Sequence, residues 1–312
     1  MNTPESAFAS LTRRDLLVRS AVTLASLSLP RLVAQAPAHS RKLAVTIDDG
    51  PAVGTGNDLA VFVRIADALR EVFVAEKVPA IMFVNERQLN VDGQRDARVA
   101  LLHRWLEAGL DLGNHTYSHP NLGHVELARF LDDIVKGEVI SRPLLEARGK
   151  KLVWFRYPFL ATGSGETAAA VEEFLVWRGY RIAPVSVDYH DYSFSGAYVR
   201  HVRAGDATKA AAHFDTVMQT MDEACTRAEA RSVEVLGYEL PQTLLIHCNE
   251  MNALTLRTTL GHLRDRGYAF VSMDEAMADP GYAVPGLRPG SMGGGGFFNS
   301  VAAAKRSAAE RQ

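Results

Sequence analysis

Short apolar runs rich in β-branched residues alternate along residues 41–280 with longer stretches whose apolar positions recur every three or four residues. The run LAVTI at 43–47 passes through a Gly and Pro turn into DLAVFVRIADALREVFVAEK at 58–77, which predicts a strand and then a helix capped by Asn57. The unit recurs as AIMFV (80–84) with DARVALLHRWLEAG (96–109), and as KLVWF (151–155) with ETAAAVEEFLVWRGY (166–180). Further strands are predicted at 110–112, 181–187, 243–247 and 268–272, and further helices around 207–235 and at 252–267. Such alternation implies an α/β fold whose parallel strands are covered by helices, as a barrel or an open sheet. Both arrangements put chemistry at the carboxyl ends of the strands. Trp105, Trp154 and Trp177 fall on these elements and are assigned to the core.

The ends break the pattern. Residues 11–36 place Arg13 and Arg14 before a moderately apolar run from Leu16 to Leu29, followed by Pro30, Arg31 and a small-residue ending, Ala34-Gln35-Ala36. That order of charged, apolar and small residues is that of an export signal, and the apolar run is shorter than the roughly 20 residues a membrane span needs. Thr12-Arg13-Arg14-Asp15-Leu16-Leu17 resembles a twin-arginine signal, which implies engagement of the twin-arginine export machinery, delivery to the periplasm or beyond, and no stable membrane anchor after cleavage. Residues 281–312 contain the stretch GLRPGSMGGGG and are expected to form a Gly-rich flexible tail, because ordering repeated Gly costs much backbone entropy, with SVAAAKRSAAER at 300–311 able to form a short helix within it. The domain reading is a signal at 1–36, a catalytic domain at 41–280 and that tail.

Composition narrows the class. Of 312 residues 47% are hydrophobic and 22% charged, as in an ordinary globular protein with ample core material. The net charge is −2, and it becomes −4 when the first 36 residues leave with four arginines and two acids. No long run of Lys and Arg offers nucleic acid an electrostatic footprint, so no nucleic-acid partner is expected. Cys225 and Cys248 are too few for a disulfide framework or a cysteine-rich zinc site, and two free buried thiols are expected.

The strand ends carry metal-compatible and acid-base side chains. Thr46-Ile47-Asp48-Asp49-Gly50-Pro51 closes the first strand with two adjacent carboxylates, which in an extended segment point different ways. After the strand-like stretch at 110–112 comes Gly113-Asn114-His115-Thr116-Tyr117-Ser118-His119-Pro120, where two imidazoles four residues apart can converge on one metal from a helical face or a tight turn. One Asp and two His form a three-ligand set that leaves positions on zinc or a similar divalent metal open to water and substrate.

These two segments resemble the first two motifs of the polysaccharide deacetylase (NodB homology) family, carbohydrate esterase family four. The resemblance implies a single distorted (β/α) barrel of roughly seven parallel strands with outer helices. It also separates the two acids, which the residues alone leave open: Asp48 as catalytic base, and Asp49 with His115 and His119 as metal ligands. Phe155-Arg156-Tyr157-Pro158-Phe159-Leu160 is similar to the third motif, keeping Arg156 and Pro158 and departing at Tyr157, Phe159 and Leu160. It implies that Arg156 orients Asp48 and that the Phe159 amide donates to the oxyanion, with Leu160 standing where the family has Gly. Asp188-Tyr189-His190-Asp191-Tyr192 resembles the fourth motif with Tyr192 in place of Trp, which implies that Asp191 holds the catalytic histidine. Leu245-Ile246-His247 resembles the fifth and implies His247 as general acid.

The implied activity is hydrolysis of linear amides, carbon-nitrogen bonds other than peptide bonds: removal of N-acetyl, or O-acetyl, groups from an acetylated glycan with a divalent metal, zinc being expected. The alternatives are a metal-dependent amidohydrolase of a non-carbohydrate amide and a noncatalytic glycan-binding relative; metal-independent relatives acting on cyclic ureides or imides lack the full His-x-x-x-His pair. Substrate choice is assigned to loops around 85–95 and 189–206, with Tyr192, Phe194 and Tyr198 as candidate stacking surfaces.

Overall fold

Among the described residues strand β1 (Arg41–Gly50) is the axis of the sheet, because it alone pairs with three neighbours. This computed structural model describes residues 41–284, 287 and 296–310, all within one compact unit, His39–Gln312. The expected signal at 1–36 lies outside the described residues.

The other strands are β2 (Ala80–Val84), β3 (Asp111–Asn114), β4 (Trp154–Phe155), β5 (Arg181–Ile182), β6 (Val187–Asp188), β7 (Gln242–His247) and β8 (Tyr268–Val271). They run in the order β5-β4-β3-β2-β1-β7-β6, with β8 on the first residues of β1, and every recorded pairing is parallel. Seven strands thus form a curled half-barrel wrapped by helices, the expected architecture. The strand expected at 181–187 is split around Pro184, and that at 151–155 shortens to two residues. A proline has no N–H to give to a sheet ladder, so continuous pairing through residue 184 is barred.

Alternation along β1 sorts the two faces. Leu43, Val45 and Ile47 join the large core under the helices, whereas Ala44 packs with Ile81, Phe83, Trp154, Ala183 and Val271 on the inner face. The same period of two carries Thr46 and Asp48 up that inner face to the strand end. Asp48 is the register partner of His247 on β7.

The helices are α1 (Leu59–Ala75), α2 (Arg95–Glu107), α3 (Leu127–Lys136), α4 (Ser141–Glu146), α5 (Gly165–Trp177), α6 (Asp191–Arg203), α7 (Ala207–Leu236), α8 (Glu250–Asp265), α9 (Met273–Ala276) and α10 (Gly296–Ala309). α1 buries Phe62, Ile65, Ala66, Leu69 and Phe73, one helical stripe. Its cap is Asp58, whose carboxylate accepts from the Val61 amide, one residue beyond the expected Asn57. α7 runs for 30 residues and stops at Gly237, whose φ of 89° suits a residue without a Cβ. Among the described residues no helix is long and apolar enough to cross a membrane.

Three other expectations are corrected. Trp177 is 73% exposed: α5 turns Ala168, Val171 and Leu175 inward, and Trp177 sits on the opposite side beside Phe174 and Arg178. Residues 191–203, assigned to a loop, form α6. Residues 296–309, assigned to a flexible tail, form α10, which buries Phe297, Phe298, Val301 and Ala304. Those four positions make an apolar stripe at helical spacing that anchors the segment against α7 and Tyr282. Trp105 and Trp154 are buried as expected, as are the free thiols of Cys225 and Cys248.

Candidate active site

At the carboxyl end of β1 the ladder to β2 shifts register between Ile47 and Gly50, and Asp49 adopts φ 61°. In a regular strand Asp48 and Asp49 would face opposite ways; this bulge turns both toward one cleft. His115 Nε2 therefore lies 3.6 Å from Asp48 Oδ2 and 3.7 Å from Asp49 Oδ1. The expectation that the two carboxylates diverge is corrected by that single left-handed residue.

The segment after β3 is a tight turn, not a helix, with Thr116 at φ 66° and His119 at φ 59°. The Asn114 side chain accepts from the Thr116 amide, and Asp133 accepts from both the amide and the hydroxyl of Ser118, at 2.8 Å each. So braced, His119 Nε2 comes to 3.3 Å from Asp49 Oδ1. One ligand atom from each of Asp49, His115 and His119 falls within 4.8 Å of the others.

The chemistry of this donor set fits a divalent cation. His115 Nδ1 is 2.8 Å from the Arg156 carbonyl, which can only accept, so Nδ1 carries the proton and Nε2 presents its lone pair to the cluster. Burial, reinforced by the neighbouring His119, holds the His115 pKa well below the usual histidine range, keeping it the neutral ligand a metal requires. Ligand bonds of about 2.0–2.1 Å in a tetrahedral site imply donor separations of roughly 3.3 Å, close to the observed 3.3 and 3.7 Å.

Asp48 is buried and faces Arg156, whose Nη1 lies 3.3 and 3.4 Å from its two oxygens. The same guanidinium donates to Thr46 Oγ1, Ala183 O and Pro184 O. Desolvation raises the Asp48 pKa to about 6, against the opposing pull of Arg156 and His247. Opposite stands His247, its Nδ1 2.6 Å from Asp191 Oδ1. Burial lowers the His247 pKa, but the charge and hydrogen bond of Asp191 outweigh it and raise the value to about 9. Burial pushes Asp191 up, and the His247 imidazolium with its hydrogen bonds overrides this and holds the carboxyl below its usual value.

Asn249 and Asn252 escaped the sequence reading. Their side-chain amides donate to Asp191 Oδ2 at 2.8 and 2.6 Å, and Asn252 also donates to the His247 carbonyl. The only signal for them is the cap position of Asn249 at the start of α8, where its carbonyl oxygen accepts from the Asn252 amide. Phe159, 62% exposed, packs its ring 4.5 Å from that of His119. Its backbone and that of Leu160 are left-handed, at φ 57° and 53°, so Leu160 keeps the turn that a glycine would make without strain. The Leu160 and Ala161 amides close this turn on the Tyr157 and Pro158 carbonyls, leaving the Phe159 N–H outside it.

Six of the seven left-handed non-glycine residues among the described residues, all but Lys77, lie at this site. Concentrated strain of this kind is a mark of functional centres. The cleft has a volume of about 690 Å³, within the range of small-molecule sites. Tyr192 lines it and is 57% exposed; Phe194 and Tyr198, the other expected stacking surfaces, pack instead near His213 and the core.

Comparison with known proteins places this geometry. Residues 35–174 match the family model for polysaccharide deacetylase, a segment that holds Asp48, Asp49, His115, His119 and Arg156 and stops short of Asp191 and His247. A peptidoglycan-N-acetylglucosamine deacetylase of Bacillus cereus is 27% identical over 156 residues, 50% of this chain and 48% of its own; the chain spans about half the length of this curated relative. A crystal structure of a peptidoglycan N-acetylglucosamine deacetylase superposes with a TM-score of 0.50 at 19% identity, covering 75% of this chain and 87% of the other, which is a likeness of fold. A carbohydrate esterase family four pseudoenzyme from Bacillus anthracis gives a TM-score of 0.49 at 18% identity, covering 77% of this chain and 66% of the other. Over residues 35–174, a little under half of its length, the chain is thus similar to the polysaccharide deacetylase family.

Proposed function

We propose that this protein is a metal-dependent deacetylase that hydrolyses acetamido groups on a glycan. The observation that carries the reading is the convergence of Asp49, His115 and His119 within 4.8 Å, between an Asp48–Arg156 pair and a His247–Asp191 pair. When bound there, a divalent cation such as zinc supplies Lewis-acid polarisation of the acetyl carbonyl and a more acidic water.

The residues do the proton work. Asp48, with a pKa of about 6, is ionised at neutral pH yet basic enough to take a proton from the attacking water. His247, with a pKa of about 9, is protonated at the same pH and gives its proton to the departing amine, which leaves as a neutral group only once protonated. Environments that push two groups apart in this way assign the base and the acid. Arg156 fixes the carboxylate of Asp48, Asp191 fixes the imidazole of His247, and the Phe159 amide donates to the oxyanion. A role for residues 1–36 in twin-arginine export to the periplasm belongs to the same proposal.

The deciding experiment is acetate release from N-acetylglucosamine oligomers, peptidoglycan fragments, acetylated xylan and simple amides by zinc-loaded protein. Release from a glycan supports the reading. Glycan binding without release from any substrate would convert it to a noncatalytic glycan-binding protein, and release from simple amides alone to a general amidohydrolase. Fractionation of cells tests export: full-length protein kept in the cytosol would refute it.

A further inference from the structure

The cleft contains a second histidine-carboxylate pair that the proton chemistry leaves unused. His190 Nδ1 lies 3.2 Å from Asp188 Oδ2, and the His190 amide donates to Asp188 Oδ1 at 2.8 Å. The His190 side chain is 60% exposed where that of His247 is 13%, yet both line the same cleft. Tyr192 stands between the two imidazoles, edge-on to each, with ring centroids 5.8 Å from His190 and 5.2 Å from His247. Its hydroxyl is 3.4 Å from His190 Nδ1.

Proton bookkeeping decides what this wall offers. Nδ1 has two oxygen neighbours, and the carboxylate of Asp188 is both the nearer and the one that can only accept. The Nδ1 proton therefore belongs to Asp188, so the Tyr192 hydroxyl cannot donate to that nitrogen and keeps its own proton for another acceptor. In the neutral imidazole Nε2 is then left with a lone pair. Two cleft-lining residues thus offer one acceptor and one donor. A sugar hydroxyl donates and accepts at once and can satisfy both; a plain acetamide carries no such group. Sites built to hydrogen-bond a hydroxyl reject analogues that lack it, because their polar atoms are left unpaired.

We propose that His190 and Tyr192, with Asp188 fixing the tautomer, read a ring hydroxyl of the sugar that bears the acetamido group and so select carbohydrate over simple acyl substrates. The inference rests on the deacetylase reading above. The test uses zinc-loaded wild type, His190→Ala, His190→Asn and Tyr192→Phe on an N-acetylglucosamine oligomer and on 4-nitrophenyl acetate. The ratio of kcat/KM for the oligomer to that for the ester should fall roughly five- to tenfold in His190→Ala and in Tyr192→Phe, chiefly through KM, the scale of one hydrogen bond. His190→Asn, which tolerates the left-handed backbone and retains an acceptor, should recover part of the ratio. An unchanged ratio, or equal losses on both substrates, would overturn the inference while the deacetylase reading stood. Wild type that releases acetate from neither substrate would remove both together.

Discussion

Arg156 and Asp48 form an ion pair closed to solvent, Nη1 lying 3.3 Å from Oδ1 with the two side chains 0% and 4% exposed. Replacing Arg156 with Met leaves a buried carboxylate uncompensated, which should cost about 3–5 kcal/mol in denaturant unfolding and abolish turnover. Arg156→Lys keeps the charge but cannot span Asp48, Thr46 and Ala183 together, so kcat/KM should fall by about two orders of magnitude. Wild-type stability in Arg156→Met would contradict this account of the pair.

The His247–Asp191 pair should set an alkaline limit on turnover. With His247 raised to about 9, its acid form, and with it kcat, should be lost as pH climbs through that value. Asp191→Asn removes the charge and should move the limb toward the ordinary histidine value of 6.5. Stability follows the same sign. A folded pKa above the unfolded one contributes stability that is complete below about pH 6.5 and disappears by about pH 9. The melting temperature of the wild type should therefore drop across that window more steeply than that of His247→Gln.

Loss of one cluster ligand should show in metal content before it shows in fold. His119→Ala is expected to bind substoichiometric zinc by elemental analysis and to retain the wild-type circular dichroism spectrum. A chelator should stop acetate release, and added zinc should restore it. Full metal content in His119→Ala would remove that residue from the ligand set.

Gly137, at the end of α3, has no room for a side chain. A Cβ there would meet the Thr116 carbonyl carbon at 2.5 Å and the Tyr117 nitrogen at 2.8 Å. Gly137→Ala should push the turn that carries His115 and His119, weakening zinc affinity by roughly tenfold and stability by about 1–3 kcal/mol. Titration with zinc reads the first and denaturant the second.

α10 is the last measurable claim. Phe298→Ala should cost about 3 kcal/mol, since the ring is 1% exposed in the core. A neutral effect would return residues 296–309 to the status of a tail.

What could be read from sequence was local. Five site segments were legible because each keeps its chemistry within three to eight consecutive residues at a strand end, and β1, β2 and β7 because their apolar runs are unbroken. α6 was hidden by its start, Asp191-Tyr192-Ser193-Phe194-Ser195-Gly196, whose residues are weak helix formers. α10 was legible in part, as a short helix over SVAAAKRSAAER at 300–311, but its anchoring aromatics Phe297 and Phe298 were left to the tail. The bond from Asn249 to Asp191 crosses 58 residues, and the left-handed turn of Asp49 that turns two carboxylates one way has no signature in its composition. Such features exist only once the sheet has brought its strand ends together.

Because Asp48 and His247 are register partners on adjacent parallel strands, the gap between the proposed base and the proposed acid is one interstrand step, about 4.8 Å between backbones. The sheet admits no intermediate value: a slip of one residue would turn either side chain to the opposite face. Adaptation of this centre to another pH or leaving group must therefore run through charge and burial around a fixed spacing, which makes Arg156, Asp191 and the two asparagines its adjustable parts.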